Sequence, residues 1–332
     1  MKKLYILLLL LCPSSGFADL NDALADFDAG NFESALGGFT ELADQGNYIA
    51  QFNLGLMYSR GLGTEPDFER ALLLYRQSAQ QGVPEAAYYI GNMYDKGIGT
   101  EVNSDEAFYW YEQAAEQGFI PAQYALATIY FDGQNRELDY QQARIWYQYA
   151  ANKGHAESQY LLGVIHAEAM GVPKDMDKAF RWFSLAADQD NADSQYNLGS
   201  MYISGEGIEQ DYTEALKWFK SAAYLGTAQA QTSVGIMYAA GQGAEQNYAE
   251  AIRWFLLAAE NGDPSSYTLL GSFYLNGYGV GLDKVEALKW YKIAADGLQI
   301  SAERLVDQLI AELSEEEIVR GELLSSQWLE QH

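Results

Sequence analysis

The stretch from residue 194 to residue 229, SQYNLGSMYISGEGIEQDYTEALKWFKSAAYLGTAQ, returns with the same key letters at a period of 36 residues, seven times between residues 50 and 298. No other feature restricts the fold as strongly. A unit this short cannot bury its own apolar face, so the copies must stack and share a core with their neighbours. The expected architecture is a quasi-one-dimensional array and not a domain built around one centre.

One copy reads as two antiparallel helices, A and B. Tyr196, Leu198, Gly199 and Tyr202 form an apolar stripe on helix A, and Gly205 and Gly207 supply a tight turn with positive φ. Asp211 then caps helix B, and Glu214 stands three residues on, the spacing of a capping box. Asn103/Glu106, Asp139/Gln142, Asn247/Glu250 and Asp283/Glu286 repeat that pair. Along helix B, Ala215, Trp218, Phe219, Ala222 and Ala223 keep a 3–4 spacing on one side. Every copy has an alanine at the first of these positions (Ala71 to Ala287), an aromatic four residues on (Tyr75 to Tyr291) and an alanine eight residues on (Ala79 to Ala295). Rings alternating with small residues let one helix seat against the next. Six tryptophans share one repeat position, from Trp110 to Trp290, and are expected in the core.

These motifs resemble the Sel-1-like repeat of the tetratricopeptide superfamily: A-x-x-x-L-G-x-x-Y, G-x-G, D-x-x-x-A, W-[YF] and A-A-x-x-G. The resemblance covers about 250 of the 332 residues. It implies an all-α, right-handed α/α solenoid of antiparallel helix pairs. It also implies an adaptor or scaffold role, often in bacterial envelopes, in which other proteins are held.

Residues 1–18 have the pattern of a secretory signal: Lys2 and Lys3, an apolar run over 4–11, then small residues at Gly16 and Ala18 that suit cleavage between Ala18 and Asp19. A periplasmic location follows as the expectation. A lipid anchor through Cys12 is the alternative, against which Leu11 is large for the position before a lipidated cysteine. Cleavage would leave no cysteine, and would move the net charge from −26 to −28 because two lysines and no acid are lost. A surface so acidic repels nucleic acid and anionic lipid, which bind through Lys and Arg. The partner class expected is a protein or extended peptide, basic in character, with no membrane insertion and no cofactor; the chain itself is expected to be a monomer.

Residues 19–49 read as a shortened copy, with Ala35, Phe39 and Gly46 standing 36 residues before Ala71, Tyr75 and Gly82. The expected role is an N-terminal cap. Residues 50–298 hold the seven repeats, and 299–332 a C-terminal cap, with one helix over 301–313 and a second opened by a Ser314/Glu317 box and carrying Ile318, Leu323, Leu324, Trp328 and Leu329. A partner-binding amphipathic helix is the other reading of that tail. The third and fourth copies break the pattern: Ala127 replaces a helix A glycine, His166 the usual tyrosine, 169–173 the usual glycine pair, and Asp190 a loop glycine. Departures of this kind concentrate where structure yields to function, so this region is a candidate, drift being the alternative.

Chemistry is sparse. The G-x-G loops follow helices, not strands, and lack the third glycine and the Lys-Ser/Thr of a phosphate cradle, so they read as hinges. Three histidines, and no cysteine after cleavage, argue against a zinc site, and Asp188, Asp190 and Asp193 lack the glycine and distal glutamate of a calcium loop. Some cysteine-rich relatives are described as β-lactamases or penicillin binders, but their paired cysteines are absent here. No metal site is expected. The alternative of a cell-wall-directed enzyme would use His166 and Glu168 as acid and base.

What remains is a surface. Offsets three, six and ten on helix A share one side, away from the core stripe. In this superfamily the A helices line the concave wall, so the candidate groove residues are Asn53, Arg60, Tyr89, Asn92, Lys96, Thr128, Asp132, Leu161, Val164, Glu168, Asn197 and Ser200.

Overall fold

The computed structural model describes residues 17–134, 136–297 and 300–332. The signal segment expected at 1–18 therefore lies, but for its last two residues, outside the described residues. All regular structure among those described is helical, and it falls into two compact units divided between Lys153 and Gly154. The first holds α1 (Phe17–Ala29), α2 (Phe32–Asp44), α3 (Tyr48–Arg60), α4 (Phe68–Ala79), α5 (Pro84–Lys96), α6 (Ser104–Glu116), α7 (Ile120–Asp132) and α8 (Tyr140–Asn152). The second holds α9 (Ala156–Ala167), α10 (Met176–Ala187), α11 (Ala192–Ser204), α12 (Tyr212–Tyr224), α13 (Ala228–Ala240), α14 (Tyr248–Glu260), α15 (Pro264–Asn276), α16 (Lys284–Asp296), α17 (Ile300–Ile310) and α18 (Glu315–Gln331). Within each unit every repeat is a packed helix pair, as the sequence pattern requires.

Each hairpin is closed in the same way. The N-cap amide of helix B donates to the carbonyl of the eighth residue after the copy's first: Asp67 to Tyr58, Asn103 to Tyr94, Asp139 to Tyr130, Asp175 to His166, Asp211 to Tyr202, Asn247 to Tyr238 and Asp283 to Tyr274, all at 2.9–3.0 Å. His166 keeps the bond because its backbone makes it. This bond corrects the capping-box expectation. The N-cap side chains do accept from the N3 amide, as at Asn103, Asp139 and Asp211. The N-cap amide, however, is already used across the hairpin, so the N3 glutamate turns elsewhere. Glu106 accepts from the Trp110 indole at 3.1 Å, and Glu214, Glu250 and Glu286 pair with Lys217, Arg253 and Lys289. The reciprocal box forms at Ser314/Glu317, in the tail.

Packing follows the ring-and-small-residue pattern. The aromatic of helix B is buried in all seven copies, and so is the alanine four residues before it. The helix A glycine lies under that ring: a Cβ on Gly199 would stand 2.7 Å from Phe219, and one on Gly235 2.5 Å from Phe255. In the third copy Ala127 is accommodated against the same packing, fully buried. The tryptophans divide. Trp254 and Trp290 are buried, whereas Trp110, Trp146, Trp182 and Trp218 are half-buried, so the core expectation fails in part for four of the six.

At the N-terminal end, Leu20 and Ala23 of α1 pack with Phe39 and Leu42 of α2 against Leu54 and Met57 of α3. At the other end α17 stops at Ile310, short of the 313 expected. Trp328 of α18 meets Trp290 edge-on at 4.8 Å, and Gly321 lets α18 approach Leu288. Of the apolar residues expected on the inner face of α18, Leu323 and Leu329 are exposed. The inward face is narrower, because Gly321 and Ser325 supply close approach in their place.

Candidate functional site

Three of the candidate residues, Tyr89, Asn92 and Lys96 of α5, are brought together in the first unit. They line an open concavity of about 410 Å³ with Ser59 of α3, Phe68 and Tyr75 of α4, Tyr88 and Met93 of α5, and Ile98 in the following turn. Its wall is aromatic. Tyr89 stacks on Tyr75 with centroids 5.4 Å apart and planes 19° apart, and Phe52 of α3 meets both rings at 5.8 Å. Three helices therefore fix one cluster of rings, each pair worth about 0.5–1.5 kcal/mol beyond area burial. Phe68 and Ile98 leave 39% and 37% of their surface open, an apolar lip beside the rings.

The polar atoms of the concavity serve mainly to hold it. The Ser59 hydroxyl donates to the Leu56 carbonyl at 3.0 Å and meets the Tyr75 hydroxyl at 3.1 Å. Asn92 donates to the Tyr88 carbonyl at 3.0 Å and accepts from the Tyr111 hydroxyl at 3.2 Å. Burial pushes the Tyr75 hydroxyl well above the ordinary phenol range, opposed by the Ser59 hydrogen bond and by the charge of Arg60. Tyr75 therefore stays neutral and forms part of the wall. Arg60 and Lys96 close α3 and α5 at equivalent repeat positions, both exposed. Two cations therefore stand at this end of the concavity, where the acidic surface expected from the net charge would have placed carboxylates.

The other candidates are placed differently. Asn53 and Thr128 are half-buried and donate to carbonyls of their own helices, at Ile49 (2.8 Å) and Tyr124 (3.0 Å). Asp132 is exposed and accepts from Gln134. In the second unit, Leu161 and Val164 are half-buried on α9, Glu168 is exposed at its end, and Asn197 and Ser200 donate to the Asp193 and Tyr196 carbonyls of α11. Tyr75, Phe68, Met93 and Ile98 fall outside the groove set that the sequence pattern selects. Tyr75 belongs to the helix B ring position, which the periodicity marks as core. Phe68 and Ile98 lie at a helix start and in a turn, where no periodic signal selects them.

The acid–base alternative gains little from the geometry. His166 is 7% exposed and turns inward from the last turn of α9, whereas Glu168 faces solvent. General acid–base work needs both groups at one substrate bond. His155 plays a structural part, since its Nδ1 accepts from the Ser158 amide and caps α9, and burial lowers its pKa. No group of three or more His, Cys, Asp or Glu side chains is arranged to hold a metal ion among the described residues. No helix among them is long and apolar enough to cross a membrane.

Consecutive packed helical hairpins define a helical-repeat protein. The Sel1 repeat family model matches residues 49–83, 84–119, 120–155, 156–191, 192–227, 228–263 and 264–297, and the chain belongs to the Sel1 repeat family. Proteins of this family generally act as protein-binding scaffolds. Among solved structures, the chain is similar to a Sel1 repeat protein from Oxalobacter formigenes, with 29% identity, a TM-score of 0.68 and 88% of each chain covered. It is also similar to a protective antigen with this fold present in uropathogenic Escherichia coli strains, with 26% identity, a TM-score of 0.62, and 95% of this chain and 76% of that one covered. No functionally curated protein matches the chain.

Proposed function

We propose that the chain is a non-catalytic adaptor of the bacterial envelope that holds an extended segment of a partner protein on the A-helix face of its first two repeats. The observation that carries this reading is the preformed concavity on α3, α4 and α5, where Phe68 and Ile98 stand open beside the half-buried Tyr88 and Tyr89 while hydrogen bonds hold Ser59, Tyr75 and Asn92 in place. A preordered apolar wall with exposed edges is what an extended peptide needs, because little ordering cost falls on the receptor. Family membership supports the scaffold class. The leader-like pattern of residues 1–18 supports export to the periplasm.

Site-specific photo-crosslinking in intact cells tests the location of binding. A benzophenone side chain in place of Tyr89 should yield a discrete crosslinked partner. The same group in place of Tyr109, half-exposed on α6, should not. A partner captured from position 109 and not from 89 would move the binding face elsewhere.

A further inference from the structure

We infer that the concavity on α3–α5 takes an acidic peptide segment carrying a large aromatic side chain, its ring entering beside Tyr75 and Tyr89 and its carboxylates meeting Lys96 and Arg60. The inference rests on the reading that this is the binding face, and adds the chemistry of what is bound.

The first argument is what the concavity has left to offer. Ser59, Tyr75, Asn92 and Tyr111 have spent their polar atoms on one another and on the backbone. The half-buried rings and hydroxyls of Tyr88 and Tyr89, the Ile98 and Phe68 edges and the Lys96 ammonium remain, with Met93 in the wall beneath them. Neither Lys96 nor Arg60 has an ion-pair partner among the described residues. About 410 Å³ lies within the ~300–1,000 Å³ of ordinary ligand sites, room for an indole or phenyl ring with flanking backbone.

The second argument is the sign of the charge. A wall of tyrosines alone would accept a cation over its rings as readily as another ring. Two unpaired cations at the rim oppose that and favour a carboxylate. The local balance also departs from that of the whole chain, which carries −26. Helices α3, α4 and α5 bear Arg60, Arg70, Arg76 and Lys96 against Glu69, Glu85 and Asp95. Between α3 and α4 stand Glu65 and Asp67, the latter paired with Arg70 at 3.1 Å. At physiological ionic strength charges are screened beyond about 8 Å, so the rim and not the total sets what docks.

The test uses the full chain with ¹³C-methyl-labelled methionines, whose Met93 methyl reports on the concavity. Three capped octapeptides serve as probes: Gly-Ser-Glu-Glu-Trp-Glu-Gly-Ser, its counterpart with every Glu replaced by Lys, and its counterpart with Trp replaced by Ala. The acidic Trp peptide should shift the Met93 resonance saturably, and both counterparts should bind at least about tenfold more weakly. Arg60→Glu with Lys96→Gln should remove the preference for acid over base while leaving the unliganded Met93 resonance in place. Equal or tighter binding of the lysine peptide, or acidic-peptide shifts confined to Met201 and Met237, would overturn the inference. If neither peptide shifts Met93 while crosslinking from position 89 still captures a partner, the charge assignment fails and the binding face stands. Failure of both removes the face as well.

Discussion

Replacing Ala169 by glycine should stabilise the protein, although it removes a side-chain carbon. Ala169 has φ 59°, in the left-handed region, at the place where the other six copies have Gly61, Gly97, Gly133, Gly205, Gly241 and Gly277 with φ 65–73°. The helix before the turn ends one residue earlier, at Ala167, but the bond that closes the turn is kept. Met170 donates to the Ile165 carbonyl at 3.0 Å, matching Leu62 to Met57 at 3.0 Å and Ile98 to Met93 at 2.9 Å. An L-residue in this conformation costs about 1–2 kcal/mol, of which glycine's greater freedom in the unfolded chain returns about 0.5–1. The net gain expected for Ala169→Gly is about 0.5–1 kcal/mol. Urea unfolding measures it globally. Exchange of the Asp175 amide, bonded to the His166 carbonyl at 2.9 Å across the turn, measures it locally and should slow about two- to fivefold. Gly205→Ala is the reverse experiment. A Cβ there meets nothing nearer than 3.5 Å, so its loss of similar size isolates the backbone term from crowding. A destabilised Ala169→Gly, or an unaffected Gly205→Ala, would refute the reasoning.

Other consequences are as direct. His155 caps α9 in its neutral form and burial lowers its pKa, so its contribution is present above about pH 6.5 and is lost as pH falls below that value toward the folded pKa; urea midpoints measured between pH 7.5 and 5 should fall for wild type and flatten for His155→Asn. Gln231→Ala should cost about 1–3 kcal/mol in urea unfolding, because its buried amide donates to Ala223 at 3.1 Å and accepts from Asn261 at 3.1 Å, joining neighbouring hairpins. Gly235→Val should lower stability by about 1–3 kcal/mol or more, since its Cβ would meet Phe255 at 2.5 Å; an unchanged unfolding midpoint would mean the ring has room to move.

The repeat, the helix pairs and the buried rings are legible in the sequence because each is written seven times and any one error is outvoted by the others. The inter-hairpin amides carry an equally regular signal, one that a search for apolar periodicity does not pick up. Gln51, Gln123, Gln195 and Gln231 recur in register and donate to the Ala43, Ala115, Ala187 and Ala223 carbonyls, and Tyr267 reaches the Ala259 carbonyl from the same position. A polar residue at a core-adjacent position of fixed period is what marks them. The half-formed capping boxes are not legible, because the competing hairpin bond joins residues nine apart through the backbone and leaves no trace in side-chain identity. The concavity is legible in part. Offsets three, six and ten select Tyr89, Asn92 and Lys96, but a cavity is set by side-chain sizes on three helices at once. Tyr75 lies in it while obeying the core pattern. The irregular fourth copy holds the two non-glycine residues with positive φ among those described, Ala169 and Asp190.

The central claim is that this scaffold works through the ring-lined face of its first two repeats. Its most direct test is the affinity of the protein captured by crosslinking at position 89, measured by titration calorimetry against wild type and Tyr89→Ala. Tyr89 is half-buried, so the variant's unfolding midpoint must be checked alongside. Loss of a desolvated ring contact of about 1.4–2.8 kcal/mol predicts a Kd weakened by about ten- to a hundredfold. An unchanged Kd in a folded Tyr89→Ala variant would contradict the account.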